Sequence, residues 1–175
     1  MKPDRVGTRT QRDSLTEWII AMLTIPVPTL EDAFRVVSNP DNRIGSGDSR
    51  TVYREPGSYW AYKVCNSPEF DAIIANENEY DNFLIYRDRL PYGIAFPEMV
   101  LLSYETEFED NYILAVEFIE ADRENSECHR GFHFCDGDPT CWAAICEIHD
   151  LPIDDLHSEN VIHKGNILYI IDAQA

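Results

Sequence analysis

With 175 residues the chain has room for one domain, or for two small lobes around a cleft, and not for two large independent domains. A hydrophobic content of 44% supports a buried core over a disordered chain, while 32 acidic side chains against 14 basic ones argue against direct nucleic-acid binding and point to basic or cationic partners. No apolar run reaches the roughly 18 residues of a membrane helix, and five irregularly spaced cysteines predict reduced thiols in a cytoplasm rather than a disulfide framework.

The first dozen residues are polar and show no signal-peptide pattern. Ser14 followed by Glu17 forms a capping box ahead of the apolar run from Trp18 to Leu23, which predicts a short helix. Thr29 with Asp32 repeats the signal, and Pro40 closes that second helix. Residues 43–64 change to strand chemistry: "RIGSGDSRTVYRE", a turn at Pro56-Gly57-Ser58, then "YWAYKV", so a Gly-rich loop lies inside a hairpin. Residues 67–90 carry apolar side chains at helical spacing and read as one long helix, ended by Pro91 and Gly93. "FPEMVLLSYET" and "YILAVEFIEA", separated by a polar turn, predict a second hairpin. Residues 122–140 read as loop and "CWAAICEIHD" as a short helix, followed by a polar loop and a final strand, "NILYIIDA".

Three short patterns lie on these elements in a telling order. "GSGDSRTV" matches G-x-G-x-x-G-x-V at Gly45, Gly47 and Val52, "AYKV" puts Lys63 on a strand, and "DLHSEN" matches D-L-x-x-x-N at Asp155, Leu156 and Asn160. Asp172 then ends the strand "YIID". Together these resemble the protein-kinase-like superfamily over residues 43–175. The "DLH" with its following Asn is similar to the catalytic loop of aminoglycoside-phosphotransferase-like kinases, and "DLHSEN" with a strand ending in Asp resembles phage serine/threonine kinases.

The resemblance implies an ATP site with magnesium. Gly45, Ser46, Gly47 and Val52 would cover the phosphates, and Lys63 would offer them a point charge. The partner of Lys63 would be a carboxylate on the long helix; Glu79 is chosen over Glu77, although periodicity hardly separates the two. Glu117 to Ile119 would meet adenine. Asp155 would orient the attacking hydroxyl, while Asn160 and Asp172 would hold magnesium. His157 has a supporting place beside Asp155.

The sequence also departs from the pattern. Arg50 stands where the third glycine is expected, which would alter the flexibility of the loop. Ile153 and Asp154 replace the His and Arg of H-R-D, and D-F-G becomes Asp172-Ala173-Gln174. Within this sequence only three residues follow Asp172, so an activation segment and a helical peptide platform have no counterpart here.

The expected fold is α+β: a reduced bilobal kinase-like fold with an antiparallel-sheet N-lobe and an abbreviated helical C-lobe. Its parts would be a helical extension over 1–42, the N-lobe over 43–120 and the C-lobe over 121–175. The expected activity is transfer of the ATP γ-phosphate to a hydroxyl, on a host protein if the phage resemblance holds, with oligomerisation left open. The alternative is an acidic inhibitor, DNA mimic or pseudokinase that binds a basic partner without chemistry. Cys128, His129, His133, Cys135 and Cys141 include soft metal ligands but no C-x-x-C pair, and so read as scattered side chains rather than a zinc site.

Overall fold

The computed structural model describes residues 25–66, 70–105, 110–121 and 160–172. The expected helices at 18–23 and 141–150, the five residues weighed for zinc, and Asp155 lie outside them.

Helix α1 (Leu30–Val37) starts at Thr29, whose Oγ1 accepts from the Asp32 amide at 3.2 Å and so satisfies one orphan N–H of the first turn. A 3₁₀ turn at Pro40–Asn42 leads into strands β1 (Arg43–Ser46), β2 (Arg50–Tyr53) and β3 (Trp60–Cys65). The Pro56-Gly57 turn between β2 and β3 uses Gly57 at φ 79°, a backbone region that strains other L residues. Helix α2 (Phe70–Tyr86) follows, then the two-residue β4 (Ile94–Ala95), the long β5 (Met99–Glu105) and β6 (Asp110–Glu117).

Strands β1, β2, β3, β6 and β5 form one antiparallel sheet in that order. Period-two alternation gives the sheet two buried faces. Trp60, Tyr62, Ile113 and Ala115 pack outward against Ala33 and Val36 of α1. Leu114 and Val116 point to the opposite side and join Phe83 of α2 in a second core. Each such fully buried side chain contributes roughly 1.5–3 kcal/mol before the entropy of ordering it is counted.

The second sheet corrects the expectation of a polar loop before the last strand. Residues 161–164 are a strand, β7 (Val161–Lys164), paired antiparallel with β8 (Ile167–Ile170) across a Gly165-Asn166 turn in which Gly165 has φ 61°. The pairing of Ile94 and Ala95 with Leu168 and Tyr169 in a parallel ladder was likewise not expected from the sequence. Gly93, at φ 89°, accepts from the Leu168 amide at 2.8 Å and ties the end of the α2 segment to this sheet. Val161, Leu168 and Ile170 belong to the same core as Leu114 and Phe83, so the two sheets share their apolar interior.

Candidate functional site

A cleft of about 660 Å³ runs between the inner face of the five-stranded sheet and the β7–β8 hairpin. That size suits a small-molecule site, for which roughly 300–1,000 Å³ is usual. Gly45, Gly47, Val52, Lys63, Glu117, Ile119, Asn160 and Asp172, all expected at a nucleotide site, line it. Ser46 does not: it is exposed, and its hydroxyl lies 3.0 Å from that of Thr51. Glu79 stands behind the cleft wall.

Lys63 reaches the cleft because it alternates with Tyr62 along β3, placing it on the inner face opposite Val52 of β2. It is 8% exposed, and Glu79 is fully buried. The Lys63 ammonium donates to both Glu79 carboxylate oxygens, at 2.7 and 2.8 Å, and to the Ile171 carbonyl at 2.5 Å. Glu79 is brought there by the buried stripe of α2, which among the described residues includes Ala75, Asn76, Glu79, Asn82 and Phe83 at helical spacing. Asn76 fastens that stripe to the sheet: its amide donates to the Lys63 and Tyr112 carbonyls, each at 3.0 Å. Glu77 lies off the stripe and is partly exposed. Of the two glutamates, Glu79 is the one in contact with Lys63.

Arg50 has a place in the site that sequence reasoning did not give it. It is the first residue of β2 and only 4% exposed, and its carbonyl accepts from the Gly47 amide at 2.8 Å. Its guanidinium bonds Glu79 Oε2 at 2.5 Å and also donates to Asp172 Oδ1, with a weaker contact to the Ala75 carbonyl at 3.3 Å. Burial disfavours the charged guanidinium, but Glu79 and Asp172 outweigh it, so the Arg50 pKa is raised. One signal for this was available: strand alternation puts Arg50 on the same face as Val52, hence toward the cleft.

The β1–β2 loop is tied down by one side chain. Asn66 donates from its amide to the Gly47 carbonyl at 2.9 Å and the Asp48 carbonyl at 3.3 Å, and its backbone N–H donates to Ser49. A Cβ built at Gly45 or Gly47 would meet no atom within 4 Å. The loop therefore faces open space on that side.

At the other end of the cleft the β7–β8 hairpin sets Asn160 beside Ile171, whose amide donates to the Asn160 carbonyl at 2.9 Å. Asn160 is buried, and Asp172 follows at the hairpin's end with its side chain 35% exposed. Lys63 Nζ lies 3.7 Å from Asp172 Oδ1. A strand lysine paired with a helix glutamate, facing an Asn and an Asp carried by a hairpin, is the layout of the kinase ATP cleft. The described elements resemble those of a protein-kinase fold.

No protein family and no curated protein sequence matches the chain. Among solved structures it is similar to the apo GRMZM2G135359 pseudokinase, with a TM-score of 0.47 and 13% identity over 86% of this chain. It is also similar to the pseudokinase drought responsive inactive kinase 1 bound to ENMD-2076, with a TM-score of 0.46 and 13% identity over 86% of this chain. The chain spans 63% of the length of each.

Magnesium, which the kinase-like layout implies, is poorly matched by this arrangement. Asp172 Oδ1 accepts from the Arg50 guanidinium and has the Lys63 ammonium 3.7 Å away, so a divalent cation on that oxygen would meet two positive charges at close range. Among the described residues no group of three or more His, Cys, Asp or Glu side chains could hold a metal ion.

Proposed function

We propose that this chain is a kinase-like nucleotide-binding module that takes ATP in the cleft between its two sheets. The observation that carries the reading is the buried Lys63–Glu79 pair. A lysine held by a carboxylate at the cleft wall is a fixed positive charge where phosphates would lie, and burying such a pair has little stabilising value of its own. Open space on the Cβ side of Gly45 and Gly47 suits close approach of a polyphosphate to the loop backbone. Val52, Ala61 and Ile162 supply apolar walls for a flat base. No described residue accepts from the Ile119 N–H, which suits it to a ring nitrogen of adenine.

The layout also admits phosphotransfer to a hydroxyl, with Asp155 orienting the acceptor. Engagement of Asp172 by Arg50 favours the non-catalytic form of the module. A protein target, including a host protein, rests on the sequence resemblance alone.

Isothermal titration of the wild type and Lys63→Ala with ATP tests the reading. Binding by the wild type, weakened tenfold or more in the variant, is expected; equal binding by both would remove Lys63 from the site and overturn the assignment. ATP turnover that disappears in Asp155→Ala would establish the catalytic form.

A further inference from the structure

The two carboxylates of the site are tied together by one side chain. Arg50 reaches Glu79 from the sheet with Nη1 and Asp172 with Nη2, and it lines the cleft while almost wholly shielded from solvent. The guanidinium occupies Oδ1 of Asp172, the carboxylate that the kinase resemblance would give to a metal ion. Lys63, 3.7 Å from the same oxygen, adds a second positive charge there.

Charge counting gives the consequence. Arg50 and Lys63 balance Glu79 and Asp172, so these four side chains sum to zero with no metal bound, while Asp48 and Glu117 add negative charge elsewhere on the lining. A hydrated divalent cation taking Oδ1 of Asp172 would displace a buried guanidinium and leave it beside Glu79 alone, a rearrangement opposed by both desolvation and like-charge repulsion. A guanidinium already in place needs no such exchange, and its planar, delocalised charge is well matched to phosphate oxygens.

We infer that Arg50 stands in for the divalent cation at Asp172, so that this cleft binds adenine nucleotide without magnesium. The inference rests on the nucleotide-site reading above and adds to it the ionic form of the ligand: the free nucleotide rather than its magnesium complex.

The test is a pair of ATP titrations of the wild-type chain, one in EDTA and one in millimolar magnesium chloride, at equal ionic strength because the screening of charges would otherwise differ. The expected result is a Kd that tightens by less than threefold on adding magnesium. Tightening of threefold or more, or binding in magnesium only, overturns the inference and leaves the nucleotide-site reading standing. Binding in neither buffer overturns the nucleotide-site reading and the inference with it. Arg50→Gly, which restores the glycine of the loop pattern and frees Asp172, is expected to gain a magnesium dependence of tenfold or more. An Arg50→Gly chain that folds, binds ATP and remains indifferent to magnesium also overturns the role given to Arg50. Should that variant fail to fold, the wild-type pair decides alone.

Discussion

Replacing Glu79 with alanine is the sharpest test of how the site is built. Glu79 is fully buried and neutralises two nearly buried cations, Lys63 and Arg50, so its loss leaves both short of a counter-charge. Breaking a buried ion pair by removing one partner costs roughly 3–5 kcal/mol. The lower end applies here. Arg50 keeps its contact with Asp172, and Lys63 keeps the Ile171 carbonyl and the longer approach to Asp172. An expected loss of about 3 kcal/mol is survivable against the roughly 5–15 kcal/mol total of a folded domain. With a urea m-value of about 2 kcal/mol/M, the denaturation midpoint falls by about 1.5 M. Equilibrium urea unfolding followed by circular dichroism measures it, with Glu77→Ala as the internal control. Glu77 lies off the buried stripe, and its replacement should stay within about 0.5 kcal/mol of wild type. A Glu79→Ala midpoint within about 0.5 M of wild type, or a Glu77→Ala loss as large as that of Glu79→Ala, would refute the argument that α2 buries Glu79 against two cations.

Two further substitutions probe the supports of the cleft. Asn76→Leu keeps side-chain volume and adds apolar surface, yet it removes the donor shared by the Lys63 and Tyr112 carbonyls. Removing a buried hydrogen-bond donor costs about 1–3 kcal/mol, so urea unfolding should show a net loss of about 1 kcal/mol or more, and a neutral or stabilising result would refute the fastening role of Asn76. Gly165→Ala forces a Cβ into φ 61° at the β7–β8 turn, where it meets no neighbouring atom, so backbone strain alone sets the cost at roughly 1–2 kcal/mol. Gly165→Asn should recover part of that loss in the same assay, since Asn tolerates the left-handed region better.

The order of the local elements was legible in the sequence because each has a signal of its own. Thr29 and Asp32 cap α1, Pro56-Gly57 turns β2 into β3, and the β-rich "YWAYKV" places Lys63 in a strand. The β7–β8 hairpin carried a signal as well, Gly165-Asn166 between Val161-Ile162 and Ile167-Leu168, but His163 and Lys164 made the first strand read as polar loop. Periodicity could not choose Glu79 over Glu77, because the face that α2 buries is itself polar over the described residues, where it carries Asn76, Glu79 and Asn82 beside Ala75 and Phe83. A hydropathy pattern marks a buried face only when that face is apolar.

The sequence by itself determined which chemical groups are present and in what order: a Gly-rich hairpin, a strand lysine, helix carboxylates, an Asn in a polar stretch and an Asp ending the last strand. Only the tertiary structure decided which of them meet. Arg50 joins Glu79 across 29 residues and Asp172 across 122, distances over which no helical or strand period carries information. A charge can be buried only where its counter-charge arrives, and here the four charges come from β2, β3, α2 and the end of the β7–β8 hairpin. For that reason Arg50, which in the sequence looks like a missing glycine, becomes in the folded chain the cation at the centre of the site.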